Sequence, residues 1–150
     1  MRRLAFLSLL LVLGVTRAAD AQTVAAVLRD AGIVGTWASD CAAPPSGRGD
    51  NTYSIYAATV SGIVTLTYNN GPSVAPTVYV ILRAERRAAD RVFYLQENQN
   101  DRRQLEIELM RDGDRIKVLS SRRTTGEVLV ADGKFTAGGT DSPWQARCPD

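Results

Sequence analysis

The chain has 150 residues, with 18 Lys and Arg against 16 Asp and Glu, and it contains no histidine. The absence of histidine excludes the Ser-His-Asp and Cys-His mechanisms and removes the most frequent metal ligand of proteins. The only cysteines are Cys41 and Cys148, which are too few and too far apart for a thiolate metal site. We therefore expect a protein that is not an enzyme, with no catalytic residues, no metal and no cofactor.

Residues 1–21 have the pattern of a secretory signal peptide. Arg2 and Arg3 precede an apolar run over residues 4–15, and Ala19-Asp20-Ala21 offers small residues at the signal peptidase site. We expect cleavage after residue 21 and a location in the periplasm or outside the cell. The apolar run is shorter than the roughly 20 residues of a membrane-spanning helix, so we expect no stable membrane anchor after cleavage.

The net charge of +2 belongs to this segment. Its charged residues are Arg2, Arg3, Arg17 and Asp20, and without them basic and acidic side chains are equal in number. A net-neutral chain has no electrostatic footprint for nucleic acid, so we expect no such partner. Residues 22–150 are long enough for one domain with its own core.

A short helix and a first strand are predicted next along the chain. Val24, Val27 and Leu28 recur at helical spacing, and Gly32 is a helix stop. The first strand is predicted at residues 33–39. Prolines and glycines then predict a loop over residues 42–50.

From residue 51 onward, most segments alternate between apolar and polar side chains, as strands with one buried face do. The alternation is clearest in QLEIEL, where Leu105, Ile107 and Leu109 are predicted to face inward. The other predicted inward sets are Tyr53, Ile55 and Ala57; Val64, Leu66 and Tyr68; Val78, Val80 and Leu82; Val92 and Tyr94; and Ile116 and Val118. A short strand over EVLVAD ends the series, with an extension into Lys134-Phe135 left open.

The connections between these strands are short. Asn70-Gly71, Asp112-Gly113 and Thr125-Gly126 accept the positive φ angles of tight hairpin turns. Successive strands joined by short turns form an antiparallel meander. Closure of about eight strands into a barrel would remove the unpaired edges. The sequence therefore predicts a single all-β domain over residues 22–150, an antiparallel meander closed into a small barrel, with a two-sheet sandwich as the alternative.

Cys41 and Cys148 are predicted to form a disulfide, because an exported protein folds in an oxidising compartment. Two free thiols are the alternative. The closed loop is long, so the chain-entropy model gives a stabilisation of about 4–5 kcal/mol.

Gly35-Thr36-Trp37, at the start of the first strand and ahead of the meander, resembles the opening motif of the lipocalin-like (calycin) barrels. The resemblance implies that Trp37 closes one end of the barrel. It also implies that an arginine from near the last strand packs over the indole, with Arg147 as the first candidate and Arg122 or Arg123 as alternatives.

Two other resemblances involve more of the chain. GTWASDC, the Pro-Pro-Ser loop, RIKVLSS, VLVADGKF and the final Trp-x-x-x-Cys are similar to a group of small exported alphaproteobacterial proteins of unassigned function. That similarity implies export, a disulfide and one domain. Small bacterial inhibitors of secreted metalloproteases resemble the chain in size, export and the Gly-x-Trp opening, which implies that Gln22–Asp30 would enter a protease cleft. The position of Cys148 departs from the inhibitor pattern.

Four aromatic residues are the candidate ligand-binding set: Trp37, Tyr53, Tyr68 and Tyr94. Inward tyrosines can line an apolar pocket and supply a polar hydroxyl. The alternative is that they only fill the core, since an eight-stranded barrel either is filled by side chains or holds one small ligand. Tyr56 and Tyr79 are predicted to face outward.

The function expected from the sequence is that of a non-enzymatic periplasmic or secreted binding protein with a lipocalin-like barrel. Its partner would be a small apolar ligand or an unknown protein. The alternative is an exported protease inhibitor acting through its N-terminal segment. A carboxylate hydrolase is a weaker hypothesis, because Glu106 and Glu108 share the face that alternation predicts to be solvated.

Overall fold

The structure is a computed structural model that describes residues 22–46 and 51–149. The predicted signal peptide and residues 47–50 of the predicted loop lie outside the described residues. The secondary structure consists of α1 (Val24–Asp30), β1 (Gly35–Ala38), β2 (Tyr53–Ala58), β3 (Val64–Asn69), β4 (Thr77–Ala88), β5 (Arg91–Asn98), β6 (Gln104–Asp112), β7 (Arg115–Arg123), β8 (Val128–Ala131), β9 (Lys134–Phe135) and β10 (Gln145–Arg147). Within the described ranges, no helix has the length and apolar character needed to cross a membrane.

The strands form a closed antiparallel barrel. β1 to β7 pair in chain order, and β10 pairs with both β1 and β7, which closes an eight-stranded ring. β8 pairs with the other half of β7, and β9 extends from β8. The prediction of an all-β antiparallel barrel is confirmed, and the two-sheet sandwich is not what the chain forms.

The predicted inward faces of β3, β6 and β7 are confirmed. Val64, Leu66, Ile107, Leu109 and Ile116 are all buried in one hydrophobic cluster. In β6 and in the first half of β7 the other alternating set carries charged residues, so its burial would place charged groups in the core.

The predicted inward face of β2 is wrong. Ser54 and Tyr56 are buried, whereas Tyr53 and Ile55 are only half-buried. Both alternating sets of this strand contain apolar residues, so the sequence pattern does not choose between them. The partner of Ser54 across β1 is Trp37, and a small side chain opposite the buried indole leaves it the space it needs.

The predicted inward face of β4 is also wrong. Ile81 is buried and Tyr79 lines the interior, while Leu82 is 44% exposed. A β-bulge between Ile81 and Arg83 changes the register against β5, so that beyond it Ala84 packs against the core. Because a bulge adds one residue to one strand, it reverses the alternation that a sequence pattern assumes.

The core closes one end of the barrel around Trp37. Leu28 of α1 and Trp37 are both fully buried, and the indole nitrogen donates a 2.7 Å hydrogen bond to the carbonyl oxygen of Ile33. The guanidinium of Arg147 lies 5.5 Å from the centre of the Trp37 ring. The arginine expected over the tryptophan is therefore Arg147, located on β10.

Gly35 makes this approach possible. Its φ angle is 139°, and a Cβ atom there would lie 2.9 Å from Nη2 of Arg147. That distance is shorter than side-chain contacts allow, and the conformation itself favours glycine. The Gly-x-Trp motif thus places glycine where the backbone has a positive φ angle and where Arg147 of β10 packs closely against β1.

The predicted disulfide between Cys41 and Cys148 is confirmed, and it joins residues 107 apart in the chain. It lies beside the pairing of β1 with β10, where the amide of Cys148 donates to the carbonyl oxygen of Thr36 at 2.8 Å. The bond therefore reinforces the seam at which the barrel closes.

Candidate functional site

The barrel interior contains a cavity of about 460 Å³. It extends to the strand ends opposite α1, where Thr52, Asn70 and Thr77 contribute to its lining. The Thr52 hydroxyl lies 2.7 Å from the side-chain oxygen of Asn70, which joins β2 to β3 at this open end. The interior is thus closed around Trp37 and hollow towards the other end.

The cavity has two chemically different walls. The polar wall, on β2 to β5, carries hydroxyl and amide groups of Ser54, Tyr56, Tyr68, Thr77, Tyr79 and Gln96. The apolar wall, on β6 to β8, carries Leu105, Ile107, Leu109, Ile116, Val118 and Val130, with Lys117 and Ser121 as its polar members. A mostly apolar lining with a few convergent polar groups is the usual composition of a small-molecule site.

Tyrosines dominate the polar wall. The hydroxyls of Tyr56 and Tyr94 lie 2.9 Å apart and share a hydrogen bond, with the two rings edge to face. Tyr68 and Tyr79 form a second edge-to-face pair with ring centres 5.7 Å apart. No other described residue forms a hydrogen bond with the hydroxyl of Tyr68 or Tyr79. These two hydroxyls can therefore serve a bound molecule.

Burial keeps the interior phenols uncharged. It is the main cause that raises the pKa of Tyr56, Tyr68 and Tyr94 above the ordinary value of 10.0. For Tyr56, the hydrogen bond with Tyr94 acts in the opposite direction and is the smaller effect. Since an ionised phenol would lose its hydration in this interior, the hydroxyls stay protonated and keep their ability to donate.

Formal charge is nearly absent from the lining. Among the described residues that line the cavity, Lys117 is the only charged one, and none is a carboxylate. The Lys117 ammonium lies 3.9 Å from a carboxylate oxygen of Asp141 and 5.9 Å from the centre of the Trp144 ring. Its charge is therefore already accompanied by a carboxylate.

Gln96 differs from the other polar residues of the described lining in having a buried side-chain oxygen without a hydrogen-bond partner. Its side chain is 1% exposed, and its carbonyl oxygen Oε1 has no hydrogen-bond partner in the described structure. Gln96 is not among the site residues predicted from the sequence. The signal was present, because Gln96 lies on the same alternating set as Val92 and Tyr94, which were predicted to face inward.

The structure separates the four predicted ligand-binding residues. Tyr68 lines the cavity, whereas Tyr94 and Trp37 do not: the hydroxyl of Tyr94 is hydrogen-bonded to that of Tyr56, and Trp37 is fully buried in the core. Tyr53 faces outward instead of inward, because β2 presents its other face to the core. Its hydroxyl lies 2.8 Å from the carbonyl oxygen of Ala43, so it positions the segment after β1.

The carboxylates considered for hydrolysis lie outside the barrel. Glu106 and Glu108 contribute to an outer groove beside Arg87 and Arg122. Over residues 22–46 and 51–149, no group of three or more His, Cys, Asp or Glu side chains is placed to hold a metal ion.

The fold and the cavity together define a disulfide-bonded antiparallel β-barrel with a hollow, nearly uncharged interior. Comparison of the chain with protein-family models, with curated proteins and with solved structures finds no match. The chemistry of the cavity is therefore the basis for a functional assignment.

Proposed function

We propose that the chain is a non-enzymatic binding protein of the periplasm or the extracellular space, with a lipocalin-like barrel whose interior holds a small, uncharged, largely apolar molecule. The observation that carries the proposal is the 460 Å³ cavity with one polar and one apolar wall. Small-molecule pockets span about 300–1,000 Å³ and combine these two kinds of lining.

The disulfide and the signal-like sequence support the location. Disulfides such as Cys41–Cys148 persist in oxidising compartments outside the cytoplasm. Residues 1–21 have the composition of an export signal. A protein that acts there can collect a ligand of low water solubility, because its apolar wall replaces the ligand's contact with water.

The apolar wall would supply most of the binding free energy. Burial of apolar ligand surface against Ile107, Leu109 and Val118 stabilises the complex by about 25 cal/mol for each Å² removed from water. The hydroxyls of the polar wall would fix the orientation of the ligand. The pairing of phenols in the wall also lowers the reorganisation that binding requires, because the Tyr56–Tyr94 hydrogen bond already holds one pair in place.

A titration of the mature chain with N-phenyl-1-naphthylamine, an uncharged probe that fluoresces in apolar surroundings, tests the proposal. We expect saturable binding of one probe per chain and a rise in the melting temperature with probe concentration, since a ligand that binds only the folded state stabilises it. Thr77→Phe should weaken binding by filling the open end of the cavity.

Val78→Phe is the matched control, because Val78 is adjacent in β4 and does not line the cavity. It should leave probe affinity unchanged. An absence of saturable binding, or equal affinities of the two phenylalanine variants when both are folded by circular dichroism, would remove the interior as the binding site.

The alternative function, protease inhibition through Gln22–Asp30, has less support. Ala25, Val27 and Leu28 of this segment are buried in the core. Insertion of the segment into a protease cleft would require α1 to leave the barrel and expose these side chains. No contact of the described residues favours that state, so the cavity remains the basis of the proposal.

A further inference from the structure

The side chain of Gln96 has no hydrogen-bonding side chain directly opposite it on either adjacent strand. Its partners across the strands are Ile81 on β4 and Leu105 on β6, both apolar. The side-chain oxygen is buried and unpartnered in the described structure. Leaving a buried acceptor without a donor destabilises the folded protein, so such groups are rare in native interiors.

The next residue shows the contrast. Glu97 is also buried, but its carboxylate accepts a 2.9 Å hydrogen bond from the Gln104 side chain and a 2.8 Å contact from Arg102. The carboxylate of Glu97 is thus satisfied, whereas the unsatisfied acceptor belongs to Gln96, a residue of the cavity lining. Because Gln96 is part of the cavity lining, a molecule bound in the cavity is the source of a donor for Oε1 that we consider.

The charges around the cavity limit the kind of ligand that can carry the donor group. The described lining has no carboxylate to balance a cationic ligand, and its single ammonium, Lys117, already has Asp141 beside it. An ionised ligand would lose its hydration without gaining a partner of opposite charge, which is strongly unfavourable. The donor is consequently an uncharged N–H or O–H group.

We propose that Gln96 selects the ligand, and that its side-chain oxygen accepts a hydrogen bond from a hydroxyl or N–H group of an uncharged molecule whose apolar body lies on β6 to β8. The chemical class is that of neutral alcohols, phenols, arylamines and amides. The hydroxyls of Tyr68 and Tyr79 are available for a second polar group. This inference depends on the proposed function, since it names the chemistry of the same site.

Two compounds of the same skeleton isolate the donor. In 2-naphthol the ring carries an O–H group, and in 2-methoxynaphthalene a methyl ether replaces it and leaves no donor. Displacement of N-phenyl-1-naphthylamine gives the affinity of each. We expect the wild type to bind 2-naphthol about tenfold more tightly, as one hydrogen bond to a buried unpaired acceptor predicts.

Gln96→Met replaces the carboxamide by an apolar side chain of similar length. It should abolish the preference for 2-naphthol while keeping the affinity for 2-methoxynaphthalene, and the melting temperature should stay the same or rise because an unsatisfied buried acceptor has been removed. Gln104→Met is the matched control on the neighbouring strand, where the side chain contacts Glu97. It should keep the full preference.

The outcomes separate the two proposals. Binding of both compounds by the wild type with equal affinity, or a preference that survives in Gln96→Met, overturns the role of Gln96 and leaves the proposed function standing. No binding of any probe by the folded wild type overturns both. Gln96→Leu repeats the measurement with a shorter side chain and settles the matter in the event that Gln96→Met does not fold.

Discussion

The guanidinium of Arg147 covers the buried ring of Trp37 at 5.5 Å and also donates to two backbone carbonyl oxygens, 3.2 Å from Gly32 and 2.9 Å from Val34. One side chain on the last strand thereby holds the segment that links α1 to β1. Arg111 adds a similar contact, donating to the carbonyl oxygen of Ala31 at 3.0 Å. The closed end of the barrel is secured by arginines that satisfy the carbonyls following the helix.

Replacement of Arg147 should weaken the closed end. We expect Arg147→Ala to lower the free energy of unfolding by about 1–2 kcal/mol, because a cation–π contact and two charge-assisted hydrogen bonds are lost. Arg147→Lys should recover only part of this, since an ammonium cannot reproduce the planar fork of the guanidinium. Urea unfolding followed by Trp fluorescence measures both.

Arg122→Ala is the control for this comparison. Arg122 is exposed on β7, and its removal should change stability by no more than about 0.5 kcal/mol. Equal losses for the Arg122 and Arg147 variants would show that the contact with Trp37 contributes nothing specific.

Removal of the disulfide should have the largest effect of any change outside the core. The Cys41→Ala/Cys148→Ala double variant frees a loop of 107 residues, which in the chain-entropy model costs about 4–5 kcal/mol. The urea midpoint of this double variant should be lower than that of the wild type. The midpoint of the wild type should fall to a similar value when dithiothreitol reduces its disulfide. Dithiothreitol should have no effect on the double variant, and an unchanged wild-type midpoint would contradict the assignment of this stabilisation to the bond.

The hydrogen-bonded phenols of Tyr56 and Tyr94 should behave as one unit. Tyr56→Phe and Tyr94→Phe each leave the other hydroxyl without its 2.9 Å partner and should cost about 1 kcal/mol. The double variant should cost less than the two single losses together, because the second substitution removes a group that is already unpaired. Strict additivity in this double-mutant cycle would argue against the hydrogen bond.

Alkaline pH should destabilise the barrel. The pKa values of Tyr56, Tyr68 and Tyr94 are raised above 10.0 in the folded state, so above about pH 10 the folded chain binds more protons than the unfolded chain. The stabilisation from these groups is fully present below that pH and is lost as pH rises further.

Urea unfolding at a series of pH values, together with phenolate absorbance, measures this effect. The buried phenols should ionise only as the chain unfolds, and the Tyr56→Phe/Tyr94→Phe variant should show a shallower loss of stability with pH. Complete phenolate absorbance in a chain that still has its β-sheet circular dichroism would contradict the burial of these rings.

Much of the fold could be predicted from the sequence because several strands have one apolar set and one polar set. Leu105, Ile107 and Leu109 alternate with a glutamine and two glutamates, so only one orientation avoids the burial of charge. The disulfide followed from the predicted export of the chain. The position of Arg147 over Trp37 followed from a resemblance and was confirmed by the contact itself.

The candidate site was harder to predict, since it depends on strands in which both alternating sets of side chains contain apolar residues. In β4, Val78 and Val80 compete with Tyr79 and Ile81, and the bulge after Ile81 reverses the alternation. Tertiary packing decides such cases. Gln96 is not predictable for another reason: alternation marks it as inward, but the sequence does not show whether a buried polar side chain has a hydrogen-bond partner.

The pairing of β10 between β1 and β7 also has consequences for how the molecule forms. Arg147 and Val34, in contact at the seam, are separated by 113 positions in the chain, and the loss of chain entropy precedes any gain from such distant contacts. Folding should be slow for a protein of this size. Until β10 pairs with them, β1 and half of β7 have unpaired backbone groups. A strand of another copy of the chain can pair with these groups instead of β10.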